Sequence, residues 1–132
     1  MICLAACSEK GERLTLSEIA SKTDSPQAFT AKVLQQLTKA GLIDSMKGPN
    51  GGFSLPTAKA QEVKLSHVVR AIDGDAIYTG CGLGLKECSD KRPCPLHVHF
   101  LQVRKDLRRM LEGTSIEDLS RGLKDGSTFM QR

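Results

Sequence analysis

The amino-acid sequence predicts a mostly α fold carrying one small β-hairpin. Three observations lead there. Apolar residues recur three and four apart in stretches bounded by capping residues and glycines. Only two short runs, Leu42 to Met46 and Phe53 to Leu55, read as strands, and the turn-rich Lys47-Gly48-Pro49-Asn50-Gly51-Gly52 joins them. A length of 132 residues with 39% apolar and 26% charged residues suits one compact domain with an appended element.

The first segment, Met1 to Cys7, reads as a helix entered in mid-pattern with no cap before it, as if upstream turns lay outside this sequence. Cys3 and Cys7, four apart on its apolar face, read as buried, inert thiols. Thr15-Leu16-Ser17-Glu18 is a capping box opening a short helix with Leu16, Ile19 and Ala20 on one face. After Asp24, Ser25 is expected as N-cap and Pro26 as the first helical position of a second helix ending at Ala40 and Gly41. Phe29, Val33, Leu37 and Ala40 form its expected buried stripe. The opposite face carries Ala28, Ala31, Lys32 and Gln35, with Gln27 at its edge.

Two short helices with a tight break read as a helix-turn-helix. The small, polar outer face of the second could enter a major groove; an ordinary solvated helix face is the plain alternative. The following hairpin shifts the balance. The glycines and Asn50 of its tip supply the positive φ values a tight loop needs and leave little side-chain bulk beyond Lys47 and Asn50. Helix-turn-helix plus a basic hairpin is a winged helix whose wing lies along phosphate, although a plain surface hairpin fits the same residues. Residues 1–75 form this unit.

Pro56 to Glu62 reads as a connector. Leu65, Val68, Val69 and Ile72 mark a helix closing at Asp73-Gly74, with His67 a partly buried structural histidine. Leu96, Phe100, Val103, Leu107 and Met110 step by four, three, four and three, a heptad seam on a long helix over residues 95–112. A narrow seam wants a partner helix, most simply a second copy; burial against its own domain is the alternative. Thr114-Ser115-Ile116-Glu117 reads as a capping box opening a short helix to Arg121, within a C-terminal piece over 113–132 whose tail from Gly122 is frayed.

Residues 76–97 form a cysteine-rich loop with the spacing Cys81-x6-Cys88-x5-Cys94-x2-His97. A disulfide knot, zinc, an iron–sulfur cluster and a reactive thiol are all open to such a set. An odd count of five cysteines and no secretory signal argue for a reducing cytoplasm and against a disulfide scaffold. Gaps of six and five residues are wider than the usual zinc pairs and suit a cluster better, with His97 a candidate fourth ligand and His99 a weaker one. An enzyme with a Cys94/His97 nucleophile pair is the remote rival, because the loop offers no clear orienting carboxylate.

No apolar run reaches the ~20 residues that cross a bilayer, so no membrane is expected. The net charge of +4 permits an anionic partner. With no Trp and one Tyr, stacking on single-stranded bases has little to use, so double-stranded DNA is the expected nucleic acid.

The helix pair with VLQQLTKAGLI, the wing KGPNGGF, the helix VVRAIDG and the C…C…CPLH loop, in this order over residues 1–121, resemble the Rrf2 family of winged-helix transcription regulators, of the IscR and NsrR kind. The resemblance implies a homodimer with crossed long helices along Leu96, Phe100, Val103, Leu107 and Met110. It implies a 2Fe–2S or 4Fe–4S cluster on Cys81, Cys88 and Cys94, completed in IscR-like members by the position of His97, and lost on aerobic preparation. It implies DNA contact through Ser25, Gln27, Ala28, Ala31, Lys32 and Gln35 and through Lys47, Gly48, Asn50 and Gly51 of the wing. The expected function is a non-enzymatic, cluster-switched regulator, chiefly a repressor, with a thiol–disulfide or zinc-dependent regulator as the alternative. The chain departs from the family pattern in its N-terminus, where members carry more residues and some an acidic fourth ligand, in a longer first cysteine gap, which leaves the cluster type open, in Ala31 in place of a base-reading Glu, and in Lys47 in place of an Arg. A different target sequence is therefore expected, read by Gln27, Lys32 and Gln35.

Overall fold

A computed structural model of the chain describes residues 1–8 and 11–130. In order these form α1 (Ile2–Ser8), α2 (Leu16–Lys22), α3 (Gln27–Lys39), β1 (Asp44–Met46), β2 (Gly52–Ser54), α4 (Thr57–Glu62), α5 (Leu65–Asp73), α6 (Ala76–Thr79), α7 (His97–Gly113) and α8 (Ile116–Lys124). The architecture is the expected helical one with a single small hairpin. The last two residues of the tail expected to fray, 131 and 132, lie outside the described residues.

Local chemistry starts α2 as the sequence predicts. Glu18 N–H donates to Thr15 Oγ1 at 3.3 Å, and Glu18 Oε2 accepts from the Thr15 N–H at 2.7 Å and hydroxyl at 2.8 Å. Those bonds favour the charged carboxylate and hold Glu18 below its ordinary range. The chain reverses at Asp24, whose φ of 47° is left-handed. The Ser25 N–H then turns back to Ala20 O at 3.0 Å, and Pro26 O takes the first helical bond, from Thr30 N–H at 3.0 Å. Pro26 therefore occupies the cap position without a side-chain bond, one residue later than expected, and Ser25 sits in the turn instead of capping.

The buried stripe of α3 is also rotated from the expected one. Thr30, Leu34 and Leu37 face the core, Val33 is half-buried, and Phe29 is 62% exposed. Thr30 Oγ1 donates to Pro26 O at 3.1 Å, so its polar atom is satisfied locally and a threonine can hold a core position.

The hairpin pairs Asp44 with Ser54, Ser45 with Phe53 and Met46 with Gly52. It begins two residues later than the apolar run because Leu42 N–H caps α3 at Leu37 O and Ile43 is sunk in the core. Phe53 also exchanges both backbone bonds with Leu14, at 2.8 and 2.9 Å, tying the wing to the entrance of α2. The tip turns on Gly48 (φ 104°) and Gly52 (φ 134°), and Asn50 has no positive φ. A Cβ on Gly51 would collide with the carbonyl oxygen of Met46.

Residues 57–62 form α4, where a connector was expected, and α6 adds a turn beyond α5. His67 is exposed, not partly buried; its Nδ1 accepts from Lys64 N–H at 3.1 Å and so helps start α5. At the far end of α7, Leu65 N–H donates to Thr114 O and Ile116 N–H to Val63 O, at 3.0 and 2.9 Å. That pairing keeps Ser115 extended and makes it the cap of α8, with Asp118 as its reciprocal partner, one residue on from the expected Thr114/Glu117 box. The helix then runs through Gly122 to Lys124.

α8 packs on α1 and α4, so the C-terminal piece belongs to the winged unit. The core gathers Leu4 of α1, Ile43, Leu55 and Ile116, each at most 2% exposed, with Ile19, Leu34 and Leu37 around them. Full burial of such a side chain is worth about 1.5–3 kcal/mol. Cys3 belongs to this core, and burial pushes its thiol up; Cys7 is only half-buried. None of the described helices is long and apolar enough to cross a membrane.

Candidate nucleic-acid interface and cysteine loop

The first candidate surface lies between α3 and the hairpin. Ala28, Ala31, Lys32 and Gln35 project from α3 into an open groove of about 780 Å3, floored by Leu16 and Phe53 and bounded by Thr38, Lys39 and Ser45. Burying Thr30, Leu34 and Leu37 turns these residues outward, so the expected outer face is placed together even though the inner stripe differs. Two alanines keep the face low. Gln27 stands at its N-terminal end, where Nε2 donates to Ser17 Oγ of α2 at 3.3 Å. Ser25 lies behind it in the turn. Lys47, Gly48 and Asn50 form the exposed tip of the wing, with Gly51 half-buried behind them.

The second surface is the cysteine loop. Its backbone is held by turns and bends between α6 and α7. Cys81 lies at its start, near the backbone N–H groups of Leu83 and Leu85 and the Cys94 thiol. Those donors, the backbone N–H of Leu83 foremost, lower its pKa. Cys88 meets the other end. Its Sγ is 3.5 Å from His97 Nδ1 and accepts from Arg104 Nη2 at 3.3 Å. His97 is buried at the first turn of α7, and its Nε2 lies 2.7 Å from Asp90 Oδ1. A carboxylate on one ring nitrogen fixes the imidazole and leaves the other facing the sulfur, the arrangement that orients metal-ligating histidines.

The four expected ligands thus come together as two pairs, Cys81 with Cys94 and Cys88 with His97. Among the described residues no three His, Cys, Asp or Glu side chains converge on one point. By type the donors fit an iron–sulfur centre: three thiols, one imidazole, and N–H groups aimed at sulfur. His99 is exposed.

Sequence reasoning missed Asp90 and Arg104. Asp90 is the orienting carboxylate that the loop was expected to lack, and it serves a histidine paired with Cys88, not Cys94. Arg104 also donates from Nη1 to Gly80 O at 2.7 Å, so one guanidinium joins the start and the middle of the loop to the second turn of α7. Its position off the heptad seam was the only available signal.

The seam itself divides. Leu96 is exposed, Val103 is 58% and Met110 52% exposed, while Phe100 and Leu107 are half-buried. Phe100 faces the loop: a Cβ on Gly82 would collide with its ring. Only His97 and Leu111 of α7 are buried.

A family model described as an iron-dependent transcriptional regulator, Rrf2, matches residues 1–122. A protein of Aquifex aeolicus (strain VF5) named as an HTH-type transcriptional regulator is 33% identical over 90% of this chain and 84% of its own length. The HTH-type transcriptional regulator IscR of Aliivibrio salmonicida (strain LFI1238) is 27% identical over 79% of this chain and 61% of its own. Among solved structures, CymR, the global cysteine regulator of B. subtilis, superposes with a TM-score of 0.71 at 21% identity over 91% of this chain and 86% of CymR. T. potens IscR gives 0.71 at 18% identity over 96% and 82%. At those identities the two structures speak to the fold alone.

Proposed function

The chain belongs to the Rrf2 family of transcriptional regulators, and on that premise we propose that it binds operator DNA as a homodimer, in the cytoplasm, under the control of residues 81–97. The observation that carries this reading is the outer face of α3 standing open beside the strands of the wing, where Ser45 and Phe53 line the same groove. Ala28 and Ala31 let the helix approach base edges, Gln27, Lys32 and Gln35 read them, and Lys47 takes a phosphate beside Gly48, Asn50 and Gly51. Leu96, Val103 and Met110, exposed along α7, supply the apolar strip for the partner's α7, and half-buried Leu107 borders it. Phe100 contributes by packing the loop against that helix.

Cys81, Cys88, Cys94 and His97 are the residues that would hold an iron–sulfur cluster. Such a group supplies a centre whose redox state, reaction with nitric oxide or simple loss registers a signal. The chain's own part is mechanical. Arg104, His97 and Phe100 all belong to the first turns of α7 and all contact the loop, so rearranging the loop tilts the helix that sets half-site spacing. A coupling of ~1–3 kcal/mol between loop and DNA, five- to 150-fold in affinity, makes a switch. Repression follows if the bound dimer blocks a promoter.

A thiol–disulfide switch is the second reading, favoured by the Cys94 thiol lying near the Cys81 sulfur. Both thiols would lose a proton and an electron to a peroxide or disulfide oxidant. Anaerobic purification decides between them. The first reading expects visible absorption with iron and acid-labile sulfide, and retardation of the protein's own upstream DNA that weakens steeply with salt. Colourless, iron-free protein whose DNA affinity changes with peroxide would replace it by the second. Protein that retards no duplex under any condition would end both.

A further inference from the structure

We propose a second soft-metal site, remote from the cysteine loop, in which Cys3, Cys7 and Met130 bind one monovalent copper ion. Cys3 and Cys7 are four residues apart in α1, so their side chains leave one face of the helix a turn apart. Burial raises the Cys3 thiol and Cys7 adds to that rise, and neither is in a disulfide. Both line a groove of about 460 Å3 between α1 and the end of the chain, and Met130 lines the same groove. Two thiols and a thioether therefore share one cavity, outside any role assigned above.

The donor set selects the ion. Thiolate and thioether sulfurs are soft, and together they favour monovalent copper over harder cations. A structural zinc would want four ligands, and no third His, Cys, Asp or Glu joins the pair among the described residues. Binding exchanges two S–H protons for two Cu–S bonds, with the Met130 thioether as a neutral third donor and no change of oxidation state. The resulting bis-thiolate copper unit carries one negative charge. Lys22 lines the same groove, and its ammonium offsets that charge. Cys3 is 8% exposed, so its side of the site is shielded from water. Loading the site would fasten the segment after α8 to α1, beside the existing packing of α8 on α1.

The test is an anaerobic titration of the reduced 132-residue chain with monovalent copper buffered by bicinchoninate. It is repeated on the Cys81→Ser/Cys88→Ser/Cys94→Ser variant, so that loop thiols cannot account for uptake. The loop variant is expected to take one equivalent from the chelator with thiolate-to-copper absorption in the near ultraviolet. Adding Cys7→Ser should weaken binding by at least about tenfold, and Met130→Leu by a smaller factor. Cys7 is half-buried, and circular dichroism establishes that its variant is folded. Met130→Leu, outside every helix, provides a second reading that does not touch the core. The proposal is overturned if the loop variant takes no copper from the chelator, or if folded Cys7→Ser and Met130→Leu proteins both bind it as tightly as their parent.

Discussion

The winged unit and the cysteine loop with α7 are built on opposite terms. The first closes on itself: Leu4, Ile43, Leu55 and Ile116 come from four separate segments and meet in one core, and α2 and α8 each begin with a reciprocal side-chain cap. The second is a turn-rich loop hung on one helix by polar contacts from His97 and Arg104 and by one ring over one glycine. Cores hold position because apolar burial is cooperative; a few polar contacts under a mostly exposed loop give way at lower cost. The difference assigns the labour. A rigid unit can present a reading surface, and a weakly held loop can be rearranged by a signal without unfolding it.

The sharpest way to break this comparison is to injure each half separately. Leu55→Ala empties a fully buried site and should cost about 2–5 kcal/mol of global stability, visible as a lower urea midpoint with an unchanged slope. Gly82→Ala pushes a methyl into the Phe100 ring, a local overpacking cost of about 1–3 kcal/mol. It should leave the urea transition of the winged unit in place while abolishing retention of iron or the response of DNA binding to the signal. Equal destabilisation by the two substitutions would mean that the loop is part of the core after all.

A smaller effect separates reading from positioning on the DNA surface. Lys32→Ala and Lys47→Ala each remove one cation. For every phosphate that a variant no longer neutralises, the plot of log affinity against log salt should flatten by about 0.9. Lys47, on the wing, should weaken all duplexes alike when replaced. Lys32, in the groove beside Gln35, should also change the ranking of operator variants. Fluorescence anisotropy over a salt series with two or more operator sequences measures both. Identical behaviour of the two lysines would remove α3 from base reading.

How much of this was legible follows the same division. The caps of α2, the outer face of α3, the Gly-rich tip and the length of α7 could be read because each depends on neighbours in sequence. Errors arose where a distant partner decided. Thr30 looks polar, yet it is core because Pro26 O satisfies its hydroxyl. Ser115 displaces Thr114 as cap because Val63 and Leu65, far back in the chain, pair with that segment. The spacing that puts Phe100 on the seam could not show that its ring also packs on Gly82 of the loop. In the loop, cysteine spacing marked the candidate donors, while Asp90 and Arg104 are ordinary surface charges until folding brings them to His97 and Cys88.

The least costly perturbation bears on how the two halves are joined. Ser115 caps α8 at the point where the residues after α7 pair with the segment before α5, and its hydroxyl is bonded to Asp118 at 2.6 Å. Ser115→Ala should cost about 1 kcal/mol. Acid should act on the same device. Hydrogen bonds from the Ser115 hydroxyl and N–H hold Asp118 below its ordinary range, and Thr15 does the same to Glu18. A carboxylate with a depressed folded pKa stabilises the fold fully above its unfolded value, roughly 3.9 for Asp and 4.3 for Glu. That contribution is lost as pH falls through the lower folded value. Melting temperatures followed downward from pH 6 should therefore drop on entering this range, and by less in Ser115→Ala, which has already lost the bond. If the cap also fixes the angle of α7, Ser115→Ala should alter the preferred half-site spacing at neutral pH while Thr15→Ala, of comparable stability cost, should not. Equal spacing preferences in the two variants would place the joint between the halves elsewhere, where the Phe100 ring meets Gly82.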